Sequence, residues 1–140
     1  MVTREAMDTL RLPAKMENLE SLRSFVLDQA GQLGFPKELL FTIDLVVEEL
    51  VANIICYAYQ DEPGEVEVGC TLECDATMRI EIRDEGVPFD PTSREKPDIE
   101  QDCAARDIGG LGIYLARRMA NGMRYRREKN QNILSVLFKL

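Results

Sequence analysis

Apolar positions recur along this chain with two periods, and the period changes mark its elements. Leu19, Leu22, Val26 and Leu33 keep helical spacing, with Phe25 alongside, which predicts a first helix from Met16 to about Leu33. Gly31 and Gly34 weaken its end, and Pro36 stands where a new helix can begin. From about Pro36 to Ala58, the residues Leu39, Leu40, Ile43, Val46, Val47, Leu50, Val51, Ile54 and Ile55 fill one broad face at about 100° per residue. Alternation then takes over. Val66, Val68, Cys70 and Leu72 alternate with Glu65, Glu67, Gly69 and Thr71, and Met78, Ile80 and Ile82 alternate with Arg79, Glu81 and Arg83. A period of two is the mark of a strand with one buried face. The turn Asp61-Glu62-Pro63-Gly64 precedes the pair, and Glu73–Thr77 closes it into a hairpin. Upstream, Leu10 and Leu12 predict a short edge strand ended by Pro13.

Leu111, Leu115 and Met119 mark a third helix, opened by glycines and closed near Asn121-Gly122. Met123 and Tyr125, then Leu134, Val136, Phe138 and Leu140, predict two final strands joined by Lys129–Asn132. The order β-α-α-β-β-loop-α-β-β predicts an α+β fold. It would be a two-layer sandwich with a mixed, mostly antiparallel sheet and helices on one face. The 140 residues suit a single domain over 1–140. From Pro91 to Ile108 there is no apolar periodicity, and a connection this long is expected to be a functional loop or lid.

Composition narrows the chemistry. The chain contains no histidine, which excludes a Ser-His-Asp or Cys-His mechanism and histidine autophosphorylation within it. A net charge of −8 argues against a nucleic-acid footprint, which needs a basic face. No apolar run approaches the roughly 20 residues that span a bilayer. Met-Val-Thr-Arg-Glu-Ala is not followed by a signal-peptide core, so a cytoplasmic location is expected. The four cysteines Cys56, Cys70, Cys74 and Cys103 form no Cys-x-x-Cys pair and are expected to be buried thiols filling space.

Three segments carry candidate chemistry. Glu49 and Asn53 lie four apart on the second helix, at the border of its apolar face, so their side chains are neighbours. Asp84 ends a strand and opens Asp-Glu-Gly-Val-Pro-Phe-Asp-Pro. Gly109-Gly110-Leu111-Gly112 opens a helix, where backbone N–H groups at a positive helix end suit phosphate. It is neither a P-loop nor a Rossmann fingerprint.

In order and spacing, Glu49-Leu-Val-Ala-Asn53, Asp84 to Pro91 and Gly109 to Leu115 resemble the N, G1 and G2 boxes of the GHKL (Bergerat-fold) ATPases. The Val-Pro-Phe-Asp-Pro continuation is most similar to the small bacterial anti-sigma-factor serine kinases. The resemblance runs from about Leu10 to Leu140 and implies ATP and magnesium as cofactors. It gives Glu49 the role of general base, in preference to Glu48, and Asn53 that of metal ligand. Asp84 would accept a hydrogen bond from the adenine amino group, Gly86 would let the backbone approach the purine, and Pro88 and Phe89 would support the pocket wall. Gly110 and Gly112 would contact phosphate together with Leu111, with Gly109 as a lid hinge. Arg106 is a candidate phosphate contact or a solvated lid charge. Arg23 matches a position that family members use for protein partners, or is simply an exposed arginine. Two departures stand out. Tyr57-Ala58-Tyr59 replaces the frequent His-Gly-Tyr, and Asn132 is the nearest polar substitute for a threonine near the last strand.

The implied function is that of a partner-switching regulator. Such a protein holds a sigma factor inactive and phosphorylates a serine or threonine on a STAS-type anti-sigma-factor antagonist. The alternative is an ATP-binding interaction module that sequesters a regulatory partner without phosphotransfer. Family members commonly form homodimers, and no sequence feature here bears on that.

Overall fold

The computed structural model describes residues 7–60, 62–74, 76–93 and 110–140. Strand β1 (Thr9–Pro13) is followed by a short 3-10 turn and helix α1 (Leu19–Gln32), then α2 (Lys37–Tyr57). The hairpin β2 (Glu65–Cys74) and β3 (Thr77–Asp84) comes next, then a 3-10 turn at Pro91–Ser93. Helix α3 (Gly110–Met119) and the hairpin β4 (Gly122–Glu128) and β5 (Gln131–Lys139) complete the fold.

The strands form one five-stranded sheet in the order β1-β2-β3-β5-β4. The sequence led us to expect a mixed sheet, but every ladder among the described residues is antiparallel. The connection through α3 leads to β4, which runs the same way as β3, but β5 lies between the two, so no parallel pair is adjacent.

Register explains the layers. Val66, Val68 and Cys70 of β2 face Asp84, Ile82 and Ile80 of β3. Those three in turn face Asn132, Leu134 and Val136 of β5. Directly opposed residues share a face, so the apolar rows of all strands meet on one side, where Leu22, Val26, Ile43, Val46, Val47 and Val51 of α1 and α2 cover them. Asp84 and Asn132 are the polar members of this inward-facing row.

The helices follow their expected ranges closely. Pro36 caps α2 and Ala58 ends it. Arg23 does not stand free. Its guanidinium donates through Nε and Nη2 to the two carboxylate oxygens of Asp44, both at 2.8 Å, and ties α1 to α2. The connection between β4 and β5 is shorter than expected. Lys129 and Asn130 alone form the turn, both with positive φ, as in a two-residue hairpin, and Asn132 lies within β5.

Helix α3 buries a different face from the one its spacing suggested. Ile113 and Ala116 are buried, whereas Leu115 and Met119 are 46% and 42% exposed. Leu115 lies about 200° around the helix from Ile113, so both cannot face α2. The cysteines divide as well. Cys70 is buried, and burial pushes its thiol up to about 12, but Cys56 and Cys74 are exposed. Cys103 lies outside the described residues. Among the described residues, no helix is long and apolar enough to cross a membrane.

Candidate functional site

A cavity of about 150 Å³ opens between the second half of α2 and the Asp84 end of the sheet. Leu50, Asn53, Ile54, Tyr57 and Ala58 form one wall, and Val87, Phe89 and Pro91 another. Ile113, Tyr125 and Leu134 complete the apolar lining, and Asp84 and Asn132 enter from the sheet. An apolar cleft with a few convergent polar groups is the usual form of a small-molecule site.

Asp84 is only 6% exposed. Its Oδ1 accepts the backbone N–H of Gly86 and the Asn132 side-chain amide, each at 2.9 Å. Among the described residues both bonds fall on the same oxygen, which leaves Oδ2 for a donor in the cavity. Burial raises the carboxyl above its ordinary range, against the lowering effects of the Asn132 and Gly86 hydrogen bonds and of the Arg127 charge. Arg127 also donates to the carbonyl of Gly86 at 2.8 Å, which fixes the turn after Asp84.

Asn53 reaches the cavity from α2. Its Oδ1 is buried and has no hydrogen-bond partner among the described residues. A buried carbonyl oxygen left in this state is costly and awaits a donor or a cation. Magnesium takes oxygen ligands and keeps several waters, so Asn53 Oδ1 fits as a single protein ligand. No group of three or more His, Cys, Asp or Glu among the described residues is placed to hold a metal, so the remaining ligands would come from the nucleotide and water.

Glu49 is exposed, one helical turn before Asn53. A β-carbon at Gly112 would lie 2.0 Å from its Oε2, so the carboxylate rests against the first turn of α3 in space that only glycine leaves open. Glu48 points elsewhere and lies 3.8 Å from Arg23 Nη1. The two neighbouring glutamates thus face different partners, Glu49 toward α3 and Glu48 toward α1.

The Asp84 loop is positioned by the end of α2. A β-carbon at Gly86 would lie 2.3 Å from the carbonyl oxygen of Ala58, and Val87 N–H donates to that same oxygen at 3.0 Å. One close approach that Gly86 permits is therefore to the helix terminus. Tyr59 adds a brace. Its hydroxyl donates to the carbonyl of Glu65 at 2.5 Å and accepts the N–H of Glu85 at 2.7 Å. Pro88 is exposed and absent from the cavity lining, where Val87 and Phe89 stand instead. Gly110, Leu111 and Gly112 lie in the first turn of α3. Gly109, Arg106 and most of the segment expected to form a lid lie outside the described residues.

Tyr125 emerges as a site residue that the sequence did not point to, and Asn132, singled out there only as a polar substitute near the last strand, joins it in the cavity lining. The inward alternation of β5 already placed Asn132 in phase with Leu134, Val136 and Phe138, and that parity is the signal that could have found it.

The histidine kinase-like ATPase domain family matches residues 12–138. The chain belongs to this family. The Listeria monocytogenes serine-protein kinase RsbW is 26% identical over 143 residues, covering 99% of this chain and 90% of that protein. RsbW of Bacillus cereus is 24% identical over 133 residues, covering 92% and 82%. Among solved structures, the RsbU and RsbW domains of Rv1364c from Mycobacterium tuberculosis superpose with a TM-score of 0.63 at 16% identity. That match covers 98% of this chain and 34% of the larger one, so the chain spans about a third of that protein's length. A histidine kinase domain from Erythrobacter litoralis gives 0.58 at 17% identity, covering 99% and 66%. These two likenesses concern the fold. The expected α+β architecture and the resemblance to anti-sigma-factor kinases of the GHKL type are borne out.

Proposed function

We propose that this histidine kinase-like ATPase domain binds ATP with magnesium. It transfers the γ-phosphoryl group to a serine or threonine of a STAS-type antagonist, and holds a sigma factor inactive in the same cytoplasmic partner-switching circuit. One observation carries the reading. The cavity holds a carboxylate oxygen at Asp84, suited to an amino group, and a buried carbonyl oxygen at Asn53 that has no partner among the described residues and suits a cation.

In this reading the base stacks within the apolar lining and its amino group donates to Asp84 Oδ2. Magnesium, held through Asn53, would neutralise phosphate oxygens. Glu49 accepts the proton of the attacking hydroxyl as its oxygen bonds to the γ-phosphorus. The bond from that phosphorus to the bridging oxygen breaks, and ADP leaves. Positioning and electrostatics supply most of the catalysis in such transfers. The RsbW relatives are named serine-protein kinases, which supports serine as the acceptor.

The test is incubation with Mg-ATP and a STAS-domain protein from the same genome, with phosphoserine read by mass spectrometry. The wild type should phosphorylate the antagonist, and Glu49→Ala should bind ATP without transfer. Phosphorylation retained in that variant would remove Glu49 as the base. ATP binding with no transfer to any STAS-domain protein would leave an interaction module.

A further inference from the structure

Asn132 uses every hydrogen-bonding position of its side chain. Nδ2 donates to Asp84 Oδ1 and to the carbonyl of Val87, each at 2.9 Å. Oδ1 accepts the Tyr125 hydroxyl at 2.6 Å and the Phe89 backbone N–H at 3.4 Å. Two acceptors face the nitrogen and two donors face the oxygen, so the amide fits one way round. Turned over, its oxygen would meet a carboxylate and a carbonyl, and its nitrogen would meet an N–H. Tyr125 supplies the shortest of the four bonds. It lies on the neighbouring strand β4, opposite Leu134, and lines the same cavity.

The geometry points to Tyr125 and Asn132 as positioning residues that set the base selectivity of the pocket. They commit Asp84 Oδ1 to the protein and present Oδ2 to the purine at one angle, so that a 6-aminopurine nucleotide is taken and a 6-oxopurine nucleotide refused. The inference rests on the ATP reading above.

The physical reason lies in the purine edge. A 6-amino group donates to a carboxylate, whereas a 6-oxo group presents an acceptor to an acceptor. A 6-oxopurine also carries a donor at the adjacent ring nitrogen. A carboxylate free to rotate can turn to that neighbouring N–H and tolerate the wrong base. A carboxylate clamped on one oxygen cannot, and the buried mismatch is then costly.

The Gly86 N–H holds the same Asp84 Oδ1 from within the loop at 2.9 Å, and the other groups facing the loop act on its backbone. Arg127 holds the Gly86 carbonyl, and Tyr59 holds the Glu85 N–H. Neither touches the Asn132 amide, so they keep the loop in place when the amide is released.

The experiment is calorimetric titration of ATP and of inosine triphosphate, each with magnesium. The proteins are the wild type, Tyr125→Phe, Asn132→Thr and the double variant. The wild type should prefer ATP by at least about a hundredfold. Tyr125→Phe keeps the ring and removes the hydroxyl, and should lower that preference by about tenfold through the loss of one hydrogen bond. A threonine at 132 can donate to Asp84 without help from Tyr125. Adding Tyr125→Phe to Asn132→Thr should therefore change the preference by less than about twofold, a coupling that independent sites would not show.

Equal weakening of both nucleotides in Tyr125→Phe would mean a merely structural role and overturn the inference, as would an equal drop in preference in both backgrounds. A wild type that binds both nucleotides alike would also overturn it while leaving the pocket assigned. Failure of the wild type to bind either would overturn the ATP reading as well.

Discussion

Gly112 and Glu49 are a steric pair, since a β-carbon on the glycine would fall 2.0 Å from the glutamate Oε2. The contact is with the far end of a flexible side chain, so Gly112→Ala can be accommodated by moving the carboxylate. Alanine also favours a helix over glycine by about 1 kcal/mol. The variant should be as stable as the wild type or more so in urea titration. Phosphotransfer should fall by about tenfold or more, because Glu49 no longer stands where it can take the hydroxyl proton. Unchanged transfer would show that the carboxylate position at Gly112 is unrelated to catalysis.

Gly86 makes the opposite case. Here the added β-carbon meets backbone, at 2.3 Å from the Ala58 oxygen and 2.7 Å from its carbonyl carbon. Backbone at the end of α2 cannot step aside cheaply. Gly86→Ala should cost about 1–3 kcal/mol of stability, as overpacking does, and ATP affinity should drop with it. Urea denaturation of this variant beside Gly112→Ala separates the two kinds of close approach.

Asp84→Asn should divide function from stability. The amide oxygen can still accept from Asn132 and Gly86, but its nitrogen then presents a donor where a donor is needed from the ligand. ATP affinity should fall by about tenfold to a hundredfold, the worth of a hydrogen bond to a charged group. The melting temperature should hold or rise, because a buried charge has been removed.

The pH dependence of that variant follows with a defined sign. Burial raises the Asp84 carboxyl in the folded protein, so the folded state binds this proton more tightly than the unfolded chain does. The stability it contributes is full below the ordinary carboxylate range and is lost as pH rises through the raised folded value. The stability of Asp84→Asn relative to the wild type should therefore grow from acid toward neutral pH and then level off. ATP binding by the wild type should weaken as Asp84 is protonated on the acid side. Urea midpoints and calorimetry across that range check both, and a gap between the two proteins that narrows as pH rises would refute the burial argument.

Much of this was readable in the chain because strand alternation assigns faces. Asp84 is the next inward position after Met78, Ile80 and Ile82, and Asn132 is the one before Leu134. A polar residue in an apolar phase is a visible signal. Helix α3 gave no such guidance. Apolar residues at 111, 113, 115, 116 and 119 surround most of it, so packing against α2, not period, decides which side is buried. Pro88 lies in a loop, where no period applies and neighbouring side chains point independently. The links from Tyr59 to Glu85, Arg127 to Gly86 and Arg23 to Asp44 join residues 21 or more positions apart. Only the assembled fold brings such partners together.

The two oxygens proposed to meet the ligand belong to different layers, Asn53 to a helix and Asp84 to the sheet. A nucleotide bridging them would act as a clasp across the interface that holds the domain together, and the unfolded chain has no equivalent to offer it. At a ligand concentration a hundred times its dissociation constant, such a clasp adds about 2.7 kcal/mol to folding. The lifetime of the folded protein, and with it the number of copies available to a partner, would then follow the nucleotide supply even before any phosphate is moved.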